Sequence, residues 1–183
     1  MPKIVPIKIL KTMKEEYEIL KLGNPILRRT AKEVSKEEIL SENIQNLIDD
    51  MWNVMEKAGG IGLAAPQIGI SIQLAVIKLE SSSDRYENLE DSEEFIIFNP
   101  ELEVINSEKQ GFWEGCLSVP GLRGYVKRPK KLKISYLNEK AEKKEVIVED
   151  FLATVFQHEL DHLFGDLYVC LLYTSDAADE TGR

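Results

Sequence analysis

The chain has 183 residues, of which 43% are hydrophobic and 30% charged, and its formal net charge is −9. This length fits one domain with its own hydrophobic core, and the negative charge excludes nucleic acid as the main partner because phosphate binding needs a basic surface. No apolar run is long enough to span a membrane, and lysines interrupt every apolar stretch near the N-terminus, so neither a membrane span nor a signal peptide is predicted.

The first predicted element follows an N-terminal extension, residues 1–16, within which Met13 is an alternative start. Residues 41–58, SENIQNLIDDMWNVMEKA, place apolar side chains at helical spacing. Ser41 is a suitable N-cap, and Gly59 follows the last turn. The pattern predicts an amphipathic helix against a core. Its apolar positions are Ile44, Leu47, Ile48, Met51, Val54 and Met55.

The middle of the chain has the length and β-branched content of strands rather than helices. The predicted strands are residues 71–79, 94–100, 101–106, 131–137 and 143–149. One stretch of low hydrophobicity, residues 80–94, contains many acidic residues and is predicted to be a long loop between strands. We interpret this loop as a solvated insertion, with a lid or a partner surface as the alternatives.

A second helix is predicted over FLATVFQHELDHLF, residues 151–164, with Asp150 as its N-cap and Gly165 after its last turn. Two helices separated by many strands predict an α+β domain. We assign this single domain to residues 1–169.

The end of the chain differs from the rest. Residues 170–183, CLLYTSDAADETGR, begin like the translation of a transposase adapter from sequencing libraries, so we interpret them as a non-native tail. The alternative is a genuine short polar tail. The two cysteines, Cys116 and Cys170, provide no disulfide framework, so a cytoplasmic, reducing location is expected.

Both histidines of the chain lie in FQHELDHLF, four residues apart. On a helix His158 and His162 project from one face, so both imidazoles can reach the same ion. Glu159 lies beside them and can take a proton from a water held there, as in HExxH sites. Two solvated histidines are the alternative. The pattern favours a metal site, and this site needs a third ligand.

The third ligand must come from elsewhere, because Tyr168 occupies the position of the third histidine in HExxHxxGxxH sites. Asp166 is the last acidic residue before the suspected tail, so a downstream carboxylate is hardly available. Cys116 remains, in the loop-like stretch GFWEGCLSVPG, residues 111–121. A lone cysteine is more often a small buried apolar residue, but two histidines lacking a partner favour thiolate ligation.

Three separate motifs, GIGLAAPQ (60–67), EGCLS (114–118) and QHELDH (157–162), together resemble those of the peptide deformylase family. The stretch RGYVKRP (123–129) is similar as well, and the resemblance runs over residues 17–169. It implies an α+β fold with mixed or antiparallel strands around a central helix that carries HExxH. It also implies an enzyme that removes formate from N-formylmethionine at the start of newly made bacterial proteins.

The resemblance implies a single divalent metal on Cys116, His158 and His162, usually Fe(II), although the same ligands accept Zn, Ni or Co. Glu159 is then the proton acceptor. The Gln67 side chain and the Leu117 backbone N–H are implied to stabilise the oxyanion. The implied partners are N-formylmethionyl nascent peptides at the ribosome, in the bacterial cytoplasm, without direct nucleic-acid or membrane binding.

The substrate pocket is predicted around the same motifs. In the glycine-rich GIGLAAPQ stretch, Gly62 can offer main-chain hydrogen bonds to an extended peptide; a turn without chemistry is the alternative. Ile61, Phe151 and Val155 are candidates for an apolar methionine pocket, with plain core packing equally compatible. Arg123 is placed at the pocket rim.

Glu114 and Arg128 match positions in the resembled family that pair beneath the metal loop and hold Cys116, although both could be ordinary surface charges. Two other functions remain open. A zinc endopeptidase would also use HExxH but would cleave internal peptide bonds. A non-catalytic protein with a structural metal needs four protein ligands, and only three are credible here, which favours catalysis.

Overall fold

In the part of the chain that the structure describes, a 3-10 helix (Pro25–Arg28) and two α-helices precede the central sheet. The computed structural model describes residues 17–79 and 93–172. Helix α1 (Lys36–Ile39) is a single turn, and helix α2 (Glu42–Lys57) confirms the first helix predicted from the sequence. The hydroxyl of Ser41 caps α2 by accepting a hydrogen bond from a backbone N–H of the first turn, as predicted. The apolar side of α2 is buried in the core.

A five-stranded antiparallel sheet forms the centre of the fold, with the strands neighbouring one another in chain order. The strands are β1 (Gly62–Ala64), β2 (Leu74–Leu79), β3 (Glu93–Cys116), β4 (Val119–Leu137) and β5 (Lys143–Glu149). Strands β3 and β4 form a long hairpin that pairs far beyond the end of β2. The predicted α+β class is therefore confirmed.

The prediction of separate strands at 94–100 and 101–106 was wrong, because β3 runs through both. The Asn99-Pro100 pair, at the boundary of the two predicted strands, forms an irregularity within β3. Asn99 adopts a φ of 48°, and its side chain accepts a hydrogen bond from the N–H of Val34 and donates one to its carbonyl, at 2.9 and 2.8 Å. A tertiary contact thus stabilises the bulge.

The loop-like setting predicted for residues 111–121 was also wrong. Cys116 is the last residue of β3, and the hairpin turn comes directly after it. Gly111 makes room for a side chain from β4, because the ring of Tyr125 lies where a Cβ of Gly111 would be. Cys116 is therefore held by strand pairing rather than by a flexible loop.

Helix α3 (Asp150–Phe164) follows β5 without a connecting loop. The prediction of Asp150 as its N-cap was wrong: Glu149 occupies the cap position without a side-chain hydrogen bond, and Asp150 is the first helical residue, with a φ of 53°. Because β5 runs to Glu149, the helix begins directly after the last residue of the strand. Gly165 ends the helix in the left-handed conformation, as predicted, with a φ of 82°.

Helix α3 packs across the sheet and contacts all five strands. Its apolar side chains and those of the strands form one buried cluster, while α2 and the first two strands form another. Each fully buried aliphatic or aromatic side chain contributes about 1.5–3 kcal/mol to folding. The helix with both histidines is consequently one of the most firmly held elements, which suits a precise ligand geometry.

Several sequence predictions fall on the ends and on the acidic stretch. The extension 1–16, most of the acidic loop (80–92) and the last part of the suspected tail (173–183) lie outside the described residues. Residues 170–172 are described, and Leu171 and Leu172 pack against a small cluster at the hairpin; the adapter interpretation stays a prediction. Within the described part of the chain, no helix is long and apolar enough to cross a membrane.

Candidate metal centre

Helix α3 and the end of β3 bring three metal-ligating side chains together. One ligand atom each from Cys116, His158 and His162 lies within 4.8 Å of the others. The Sγ of Cys116 lies 3.3 Å from Nε2 of His162. The two imidazole rings stand one helical turn apart, with centroids separated by 5.3 Å. The three residues that the sequence predicted as ligands are therefore neighbours in space.

The surroundings of both imidazoles suit a divalent metal. Nδ1 of His158 lies 2.7 Å from Oε2 of Glu114, so its Nε2 is left for an ion. Burial holds the pKa of His162 well below its usual value, which keeps that ring neutral, the form that binds metals. Burial opposes a charge on His158, but its hydrogen bonds to Cys116 and Glu114 outweigh burial and raise the pKa of this ring to about 10, so a metal ion would displace a proton from it. Cysteine and histidine side chains are ligands that first-row divalent metals accept. The residues present thus fit one such ion.

Glu159 points into the same space from α3. It is 6% exposed, and among the described residues its Oε2 has no hydrogen-bond partner. Burial raises the pKa of this carboxyl to about 7. Its other oxygen and side-chain carbons lie against Gly62 of β1, where no side chain would fit. A buried carboxylate with one unused oxygen and a pKa near neutrality is suited to accept and return a proton.

Gln67 presents its amide to the centre from the 3-10 helix Ala65–Ile68. Its Oε1 accepts a hydrogen bond from the backbone N–H of Ala64 at 2.8 Å, which turns the NH₂ group towards Cys116. Nε2 lies 3.2 Å from the hydroxyl of Ser118 and 3.6 Å from the Cys116 sulfur. The amide is thereby fixed as a donor beside the cluster. Leu117 follows in the hairpin turn.

A buried ionic network supports His158. Arg128 donates from Nε and Nη2 to both oxygens of Glu114, at 2.6 and 3.0 Å, and from Nη1 to Asp161 at 2.8 Å. Burial opposes ionisation of Glu114, but the hydrogen bonds from His158 and Arg128 outweigh it and hold its pKa below the usual value. Glu114 and Arg128 thus form a buried pair rather than two surface charges, and the contact that the structure shows for this pair is with His158, whereas the sequence analysis expected it to hold Cys116.

Asp161 is a residue of this network that the sequence analysis missed. It lies in the HELDH motif, three residues after His158, and hence near the same face of the helix. The spacing could have indicated it, because a carboxylate at that position can hold a buried cation such as Arg128. Its role was not apparent because the partner is 33 residues away in sequence.

A cavity of about 350 Å³ opens beside the cluster. It is lined by the residues predicted for the substrate pocket and rim, Ile61, Gly62, Arg123, Phe151 and Val155. Trp113, Leu122 and Thr154 also line it and were not predicted. The predicted substrate residues therefore share one cavity with Cys116, His158, Glu159 and Gln67.

The arrangement combines three protein ligands, a buried carboxylate, a fixed amide donor and a mainly apolar cavity. Three ligands leave a coordination position free, which is typical of catalytic rather than structural metal sites. Such a set can activate a water and stabilise an oxyanion next to an apolar side chain. The geometry therefore fits hydrolysis of a small acyl group.

Comparisons with known proteins agree with this geometry. The chain is similar to a peptide deformylase from Leptospira biflexa, with 48% identity over 152 residues, covering 83% of this chain and 85% of the relative. A crystal structure of class I type b peptide deformylase from Acinetobacter baumannii with Met-Ala-Ser bound has a TM-score of 0.79 and 35% identity, covering 87% of this chain and 99% of the other.

A peptide deformylase structure from Thermotoga maritima is similar too, with a TM-score of 0.75 and 36% identity, covering 87% of this chain and 99% of the other. The family model described as polypeptide deformylase matches residues 16–176. Most of the chain, with all the residues of the cluster and cavity, lies inside this match. The chain belongs to the polypeptide deformylase family.

Proposed function

We propose that the chain is a metal-dependent hydrolase that removes the formyl group from N-formylmethionine at the N-terminus of newly made proteins and releases formate. One observation carries the proposal beyond family membership. Glu159, whose Oε2 has no hydrogen-bond partner among the described residues, lines the same cavity as Cys116, His158 and the apolar side chains proposed for the pocket. A proton acceptor, ligands and a side-chain pocket are therefore in reach of one small substrate.

Cys116, His158 and His162 would hold one divalent ion. When bound, this ion lowers the pKa of a water molecule and polarises the formyl carbonyl. Fe(II) is the ion we propose for the cell, and Zn, Ni or Co fit the same donor set. Glu114 fixes Nδ1 of His158, so Nε2 would be the ring nitrogen that holds the ion.

Glu159 takes the proton of the attacking water while the water oxygen bonds to the formyl carbon. The carbonyl oxygen then carries negative charge, and the Gln67 amide and the Leu117 backbone N–H donate hydrogen bonds to it. When the carbon–nitrogen bond breaks, Glu159 passes the proton to the departing amine, so formate and a free N-terminus result. A carboxyl with a pKa near 7 can serve in both directions.

The methionine side chain would occupy the apolar part of the cavity between Phe151, Val155 and Ile61. Gly62 would offer main-chain hydrogen bonds to the extended peptide, and the stem of Arg123 would cover the rim. The Acinetobacter baumannii relative with Met-Ala-Ser bound supports a peptide of this kind as ligand. Nascent chains emerging from the ribosome in the bacterial cytoplasm are the proposed natural substrates.

The test measures formate release from N-formyl-Met-Ala-Ser by anaerobically purified, Fe(II)-loaded protein. We expect turnover by the wild type and none by the Glu159→Gln variant, which should retain the metal because it keeps all three ligands. An unformylated peptide of the same length should stay intact. Cleavage of this peptide would instead indicate the alternative function, an endopeptidase. Absence of formate from folded, metal-loaded wild-type protein would overturn the proposed function.

A further inference from the structure

Residues 20–22, here called the strap, connect the two segments that carry the oxyanion donors. The backbone N–H of Leu20 donates to the carbonyl of Gln67 at 2.7 Å, and that of Leu22 donates to the carbonyl of Ser118 at 2.8 Å. The ammonium of Lys21 donates to the carbonyl of Leu117 at 3.0 Å. Three consecutive residues thus hold two segments that are about fifty positions apart in sequence.

The short length of the strap explains this connection. Two residues of backbone span at most about 7 Å. Because Leu20 and Leu22 are two residues apart, their N–H groups limit the separation between the carbonyl of Gln67 and that of Ser118. At this separation the Gln67 side chain also reaches the Ser118 hydroxyl, at 3.2 Å. The strap and this side-chain contact reinforce the same spacing.

We propose that the strap is a positioning element for catalysis, which holds the Gln67 amide and the Leu117 N–H at the distance that the developing oxyanion requires. The inference rests on the proposed function, because the two donors matter only if an oxyanion forms. Donors that are fixed in advance stabilise charge without reorganisation, and small displacements weaken them strongly. The strap residues are not among those that line the cavity, so their effect is expected in turnover rather than in substrate binding.

The strap ends in a turn that permits a sharp test. The N–H of Asn24 donates to the carbonyl of Lys21 at 3.0 Å, and Gly23 has a φ of 102°. These features are typical of a type II turn with Leu22 in its second position, where proline is favoured. Leu22 is also half exposed, at 50%. Leu22→Pro should therefore remove the hydrogen bond to Ser118 without unfolding the protein.

The experiment compares Leu22→Pro with Leu22→Ala, which loses the side chain but keeps the N–H. We expect kcat for N-formyl-Met-Ala-Ser to fall about three- to tenfold in the proline variant only, with KM within about twofold of the wild type. Lys21→Met, with Lys21→Arg as the rescuing variant, tests the side-chain contact in the same way. Unfolding temperatures confirm that all four variants are folded.

Equal kcat in the proline and alanine variants of Leu22 would overturn the proposal, as would a loss confined to KM. The role of the strap can also be tested without an activity assay. NMR spectra of the zinc-loaded protein report on the Gln67 side-chain amide and the Leu117 backbone amide. We expect both resonances to shift with Leu22→Pro and not with Leu22→Ala. If the wild type releases no formate, the proposed function fails, and unshifted resonances would then reject the strap independently.

Discussion

The carboxylate of Glu159 fills the space where a side chain of Gly62 would stand. Gly62 belongs to β1 and Glu159 to α3, so this contact joins the edge of the sheet to the helix that carries both histidines. The absence of a Cβ allows the strand and the carboxylate to approach closely. The sequence predicts that this glycine binds substrate through its main chain, and the structure adds a contact with Glu159, so Gly62 limits where the proposed proton acceptor can lie.

Gly62→Ala should therefore displace Glu159 and lower kcat/KM by about tenfold or more, with the metal content unchanged. Formate release and metal analysis of the purified variant measure these two quantities. Gly115→Ala is the matched control, because a Cβ there would lie no closer than 3.7 Å to any other residue's atoms besides its chain neighbours. Equal activities for the two variants would show that the contact with Glu159 is unimportant.

Cys116→Ala should abolish metal retention and formate release, because it removes one of three ligands. Cys170→Ser provides the control, since Cys170 contacts Arg28 and lies outside the cluster. Binding to the folded state alone stabilises a protein, so a chelator should lower the unfolding temperature of the wild type and of Cys170→Ser. The chelator should leave Cys116→Ala unchanged. Metal bound stoichiometrically to Cys116→Ala would reject the cysteine as a ligand.

The two long helices could be predicted from the sequence because the signals that define them lie within the helices or directly next to them. The apolar spacing of residues 41–58 and the glycine at 165 act within a few residues of their helix. The predictions for the bulge at Asn99 and the N-terminus of α3 were wrong for the opposite reason. Asn99 is stabilised by the distant backbone of Val34, and the corner at Asp150 depends on how β5 meets the helix.

In the candidate site, too, local sequence motifs could be predicted and contacts between distant segments could not. The ligand types and the order of the motifs could be identified from sequence, and the resemblance to a family supplied roles for Gln67 and Leu117. The interactions between segments could not be identified. The bond of Asp161 to Arg128, the contact of Gly62 with Glu159 and the strap at Leu22 each join positions far apart in the chain. Only the folded chain places these partners together.

Asp161→Asn should weaken metal binding about tenfold, because Arg128 loses a charged partner and no longer holds Glu114 against His158 as firmly. Titration of the metal-free protein with zinc measures the affinity. Asp166→Asn is the matched control: its carboxylate lies 3.8 Å from Arg28 in an exposed pair, which contributes about 0–1 kcal/mol. A zinc affinity of Asp161→Asn equal to that of Asp166→Asn would exclude the network from a role in ligand orientation.

Val155→Phe should change which side chain the enzyme prefers at the formylated residue. Val155 is 5% exposed and lines the cavity, so a larger ring would reduce the space proposed for methionine. We expect kcat/KM for N-formyl-Met-Ala-Ser to fall by about tenfold or more, while that for N-formyl-Ala-Ala-Ser changes little. The ratio of the two values within one preparation cancels differences in metal content and folding. An unchanged ratio in a folded variant would show that methionine binds elsewhere in the cavity, away from this face of α3.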